Sequence, residues 1–204
     1  MRMECADPDS TARHRYDTHF RLFVYEGPEA TAMALDLRDT TIKEALENSR
    51  IFSEQDSRLW SLAVVDDGPG TGLIWISGMD YRIAPTSLRE WRLRGDMQSR
   101  YLMARAQRDQ PVVLPNGLRS IRMFPEWGVS IPLWESFTEN YPVDPKTMPF
   151  GRRLKKDLDE WSAAWQAQAE TNPEMPDTWR ERGFELYERV QKALEDIAEV
   201  RPEF

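Results

Sequence analysis

The sequence predicts an α+β fold: a mostly antiparallel sheet with helices on one side, ending in a C-terminal helical hairpin. Three observations predict it. Four runs rich in β-branched and aromatic residues lie before Ser77, separated by turn signals or one short helix, as antiparallel neighbours require. A helical segment, Thr86 to Gln107, follows them. Beyond Pro149 two apolar stripes recur at helical spacing and are separated by Pro173 and Pro176.

Residues 1–17 are polar, with Asp7, Pro8, Asp9 and Ser10 close together, and are expected to form a loose tail. Phe20 to Tyr25 reads as the first strand and Gly27-Pro28 ends it. Thr31 to Arg38 alternates as a second strand. Thr41 and Glu44 have the spacing of a capping box, so a short helix opens there with Ile42, Ala45 and Leu46 on one face. Leu59 to Val65 and Leu73 to Ser77 are strands joined by Asp66 to Gly72. That glycine-rich link lacks the Gly-Lys-Ser/Thr ending of a phosphate loop and no helix follows it, so it reads as a hairpin turn. Trp60 and Trp75 are expected to pack near one another in this hairpin.

In Thr86 to Gln107, Ser87 and Glu90 repeat the capping spacing, and Gly95 before Asp96 suggests a break. Its arginines, Arg89, Arg92, Arg94, Arg100 and Arg105, read as a solvated face rather than an anion site. Pro111 to Phe124 reads as two short strands about the turn Pro115-Asn116-Gly117. Phe124 to Trp134, F-P-E-W-G-V-S-I-P-L-W, then leads into a helical tail. Leu154, Leu158, Trp161 and Trp165 make one helix face. After Pro176, with Asp177 as N-cap, Trp179, Gly183, Tyr187, Val190, Leu194 and Ile197 make another. Gly183 on an apolar face implies close approach of a backbone or a tryptophan ring. Cations at Arg152, Arg153, Lys155 and Lys156 oppose the dipole of their helix, and an internal acidic partner is expected. The resulting organisation is a tail at 1–17, an N-terminal α+β region at 18–118 and a tryptophan-rich unit at 119–204, the last two being either separate domains or one continuous domain. In that unit Trp127 and Trp134 are expected to be buried against the last two helices.

Composition narrows the function. The net charge is −8, with 35 acidic against 27 basic residues, so a nucleic-acid partner is not expected and a basic protein partner is permitted. No apolar run reaches the length of a membrane span. The N-terminus has no signal-like apolar stretch and there is one cysteine, Cys5, which gives the expectation of a cytoplasmic protein without disulfides. The spacing of Cys5, His14 and His19 matches no zinc pattern, so no metal and no cofactor are expected. The histidines and the cysteine sit near the tail, away from any nucleophile partner, and no catalytic residue is assigned. Of the carboxylates considered by position (Asp66, Asp67, Asp80, Glu126 and Glu135), Glu126 and Glu135 flank the tryptophan-rich stretch.

Trp127-Gly128, Pro132-Leu133-Trp134, Val143-Asp144-Pro145, Leu154 to Trp161 with Trp165, and Trp179 to Gly183 occur in an order that resembles a set of small actinobacterial proteins with a W-G-x-x-x-P-L-W start. The resemblance covers residues 120–200 and implies no activity, cofactor or catalytic residue.

Two readings follow. The first is a protein-interaction module, for instance an immunity-type inhibitor of a basic toxin, since tryptophan is a common interface anchor. The second is an enzyme or small-ligand binder with an aromatic pocket between sheet and C-terminal helices, lined by Trp127, Trp134 and Trp161. The binding residues expected are Trp127, Trp134, Glu126, Glu135 and Trp161.

Overall fold

The computed structural model describes residues 18–66, 72–170 and 174–204. The expectations for the tail, including Cys5 and His14, and for most of the 66–72 turn lie outside the described residues. The elements run β1 (His19–Glu26), β2 (Thr31–Arg38), α1 (Ile42–Phe52), β3 (Leu59–Asp66), β4 (Gly72–Ser77), α2 (Leu88–Ala106), β5 (Arg119–Met123), β6 (Leu133–Trp134), α3 (Arg152–Ala169), α4 (Asp177–Ala193) and β7 (Ala198–Pro202). The α+β class, the antiparallel sheet and the terminal helix pair are as the sequence predicts.

The first sheet has the order β2-β1-β3-β4, with every neighbour antiparallel. Its helices divide between the two faces, because β1 and β3 are apolar on both. Phe20, Leu22, Val24, Trp60 and Leu62 form one cluster with Ala45 of α1. Tyr25 and Leu59 form another with Met97, Tyr101 and Leu102 of α2. Trp60 and Trp75 therefore do not meet. Trp75 lies opposite Ala63 and packs on Phe23 with centroids 5.5 Å apart, while Trp60 points the other way and lies 4.2 Å beneath the Arg100 guanidinium.

The second sheet, β6-β5-β7, joins β5 to β6 antiparallel and to β7 in parallel. The α3–α4 pair covers it. Ile121, Met123, Leu133 and Val200 meet Leu154, Leu158, Leu186 and Val190 in one buried cluster. A turn over Leu194 to Ile197, followed by β7, replaces the expected last turn of helix. Leu194 caps α4, and Arg119 N–H bonds the Ile197 carbonyl as the chain enters the sheet. Pro111 to Leu114 forms no strand; the backbone closes a turn there, with Gly117 N–H donating to Leu114 O and Gly117 at a φ of +83°.

α2 is one helix, without the break expected at Gly95. Glycine there permits a close approach: a Cβ would lie 3.2 Å from the Arg201 guanidinium of β7. This is how α2 ties the two sheets together. Arg201 Nη1 donates to Gly95 O at 2.8 Å, and Arg94 makes a two-pronged bond to Glu199 at 2.7 and 2.9 Å. Gln98 donates to both Glu199 and the Tyr81 hydroxyl. Arg94 and Arg100 are thus spent on internal contacts, not on the solvated face the sequence suggests. Thr41 and Glu44 form the expected capping box. In α2, Ser87 caps Glu90 N–H, but the Glu90 carboxylate turns to Thr86 instead. Pro176 rather than Asp177 is the N-cap of α4.

Candidate protein-binding surface

The stretch 124–134 folds back on itself before it meets the helices. Phe124 N–H donates to Pro132 O, and the Trp134 indole N–H donates to Phe124 O at 2.9 Å. The Phe124 and Trp134 rings stack at 5.2 Å, and Tyr141 packs on Trp134 from another side at 4.8 Å. Trp134 is buried as expected, but its ring partners are Phe124 and Tyr141 and it is not part of the cluster that α3 and α4 form with the sheet.

Trp127 is not buried. Gly128, with a φ of +75°, turns the backbone at the tip, and α3 grips that turn by polar bonds. Ser162 Oγ donates to Val129 O at 2.8 Å, Gln166 Nε2 donates to the same oxygen, and Gly128 N–H donates to Gln166 Oε1. With its backbone held this way, Trp127 lies on the outer side of α3 against Trp165, centroids 5.1 Å apart, and stays 50% exposed. The expectation that it would be inaccessible is corrected by this clamp, although its contact with the helical tail stands.

Trp161 is buried against Trp179, and Phe204 meets both rings edge-on. The three tryptophans expected to line one pocket therefore take three separate partners: Trp165, Phe124 and Trp179. Phe124, Pro125, Trp165, Trp179 and Phe204 line a groove of about 260 Å³. Phe204 continues this aromatic ridge to Phe184, 5.2 Å away and 37% exposed.

Charge surrounds the ridge. Residues 119–204 hold seventeen acidic against twelve basic residues. On α4, Asp177, Glu181, Glu185 and Glu188 share the exposed side with Phe184. Arg180 and Arg182 offset part of this charge through Asp177 and Glu185. Arg182 and Arg189 also share Asp157, whose carboxyl the Arg189 hydrogen bond holds below its ordinary range.

The two carboxylates singled out by position part company. Glu126 is exposed beside Trp127. Glu135 is buried and takes two prongs from Arg119, while Asn140 donates to the same carboxylate. The Glu135 hydrogen bond raises the Arg119 guanidinium above its ordinary value. In the basic first turns of α3, Lys156 pairs with Glu160 at 3.4 Å. Trp165, Phe184 and the acidic side of α4 were not singled out in sequence as parts of a surface; periodicity finds the apolar stripe of a helix but not which of its ends emerges. Among the described residues no cluster of His, Cys, Asp and Glu is arranged to hold a metal. Among the described residues no helix is long and apolar enough to cross a membrane.

All of this ridge except Phe204 lies within the part of the chain that a family model matches. Residues 119–201 match the family model described as Serratia CdiI immunity protein-like. The match covers somewhat under half of the chain, from the start of β5 into β7. It includes Glu126, Trp127, Trp134, Glu135 and Trp161. No curated protein and no solved structure matches the chain.

Proposed function

We propose that this chain is an immunity-type protein that binds a protein toxin in the cytoplasm and holds it inactive. The observation that carries the reading is the match of residues 119–201 to the immunity protein-like family. The surface supports it. Trp127 is a large aromatic side chain held half out of the protein by a fixed backbone, so it can bury area on a partner at little cost in ordering. The exposed acids Glu126, Glu181 and Glu185 beside the ridge suit a basic toxin, because opposite potentials speed encounter and exclude acidic competitors. Trp134, Glu135 and Trp161 act from inside, by fixing the stretch and the helix pair that display the ridge.

The test is co-expression with the product of an adjoining toxin-like reading frame, followed by purification of the pair. One stoichiometric complex, weakening with salt and protecting the host, is expected. Trp127→Ala should weaken it by roughly tenfold or more. Glu181→Lys with Glu185→Lys should slow association most at low salt. Recovery of no complex at low salt sinks the reading.

A further inference from the structure

The N-terminal sheet lies outside the matched residues, and its two edges are built differently. β2, one edge, carries Asp36 and Arg38, and Asp36 is paired with Arg21 at 2.6 Å. Charges of this kind stop an edge strand from recruiting another strand. β4, the other edge, reads G-L-I-W-I-S and has no charge at all. It exposes Leu73 at 37%, Ile74 at 58% and Ile76 at 40%.

We infer that β4 pairs with β4 of a second copy of this chain, across a two-fold axis, to join the two four-stranded sheets into one. Three observations select a second copy as the occupant. The first is charge. The chain is 30% charged with a net −8, so most faces of two copies repel, whereas this row opposes no like charges. The second is self-complementarity. A two-fold axis normal to the sheet keeps each face on its own side, so residues of equal parity meet. Centred on Ile74, the axis sets each Ile74 against its counterpart; centred on Trp75, it sets Ile74 against Ile76. In both registers an exposed isoleucine covers an exposed isoleucine, and the regular part of the edge, Gly72–Trp75, supplies the ladder ahead of the register shift between Leu62 and Ala63. The third is the uncovered face. The cluster beneath α1 contains residues of β1 and β3 but none of β4. Ile74 also borders a groove of about 320 Å³ that Phe20, Val64 and Val65 line together with Thr18, His19 and Asp66.

Sedimentation equilibrium on the full chain at micromolar concentrations tests the inference. The chain should be dimeric, and Ile74→Lys and Ile76→Lys should be monomeric with unchanged circular dichroism. Ile83→Lys, at an equally exposed isoleucine off the sheet, should remain dimeric. If a lysine variant fails to fold, oxidation of Ile74→Cys, alone or with Ile76→Cys, in a Cys5→Ser chain replaces it and should give a covalent dimer in one of the two registers. A monomeric natural chain, dimers that survive Ile74→Lys, dissociation by Ile83→Lys, or absence of the crosslink would each overturn the inference. None of these outcomes depends on whether a toxin is bound.

Discussion

Trp161 and Trp179 hold each other by both ends. Their rings lie face to face, centroids 4.4 Å apart and planes 10° from parallel. The Trp161 indole donates to the Trp179 carbonyl at 3.0 Å, and the Trp179 indole donates to the Trp161 carbonyl at 3.1 Å. This double bond pair fixes α3 against α4 and so sets the position of the ridge. Trp179→Phe keeps the stack and removes one N–H donor, which should cost about 1 kcal/mol in urea unfolding. Trp161→Ala removes a buried ring and should cost about 3–5 kcal/mol. The double change to alanine should cost less than the sum of the single changes, because each one already breaks the stack. Strict additivity would show that the stack contributes nothing.

Gly183 sits where these rings crowd α4. A Cβ there would lie 2.5 Å from Phe204 and 2.9 Å from Trp161. Alanine gains about 1 kcal/mol in helix propensity, but overpacking costs about 1–3 kcal/mol and Trp161 is locked by its partner. Gly183→Ala should therefore lower stability despite the better helix former. Adding Phe204→Ala should recover part of the loss and leave the share due to Trp161. A stabilised Gly183→Ala protein would mean that both rings move aside freely.

What the sequence made legible was local. The first four strands were readable from runs of β-branched residues, α1 from its capping box, and α3 and α4 from their stripes. Features set by distant partners were not. β7 exists because β5 lies beside it in parallel, and Ala198 to Pro202 carries no signal of its own for that pairing. Gly95 looked like a break because its reason, the Arg201 side chain, is far along the chain. Glu135 was grouped with Glu126 among the expected binding residues because its partner Arg119 is reached only across the β5–β6 pair. At the candidate surface the tryptophans could be found but not sorted. Trp127 and Trp134 share one motif, and hydrogen bonds from Ser162 and Gln166 decide which of them faces solvent.

The bond from Arg94 to Glu199 joins α2 to β7 in a setting where both side chains are mostly buried, 12% and 15% exposed. Burial disfavours the Arg94 charge, and Glu199 more than compensates, so that guanidinium sits above its ordinary value. Glu199→Gln keeps the shape and removes the counter-charge, leaving a buried cation unpaired. The expected loss is about 3 kcal/mol in chemical denaturation. Arg94→Met with Glu199→Leu removes both charges and should restore more than half of that loss. Equal destabilisation in the single and double variants would place the cost in packing.

Tyr81 ties the same region to alkaline pH. Its ring lies 3.8 Å beneath the Arg94 guanidinium, and its hydroxyl accepts from Gln98. Burial, and then the Glu199 charge, push its phenol up to about 12. An unfolded chain ionises the same phenol near pH ~10. Between these values the unfolded state has lost a proton that the folded state keeps, so stability falls as pH rises. The contribution is complete below pH ~10 and is lost as pH climbs toward 12, at about 1 kcal/mol per pH unit. Tyr81→Phe cannot ionise. The stability difference between the natural chain and Tyr81→Phe should be constant up to about pH 10 and then shift against the natural chain. Parallel profiles through this window would mean that the Tyr81 phenol ionises equally readily folded and unfolded.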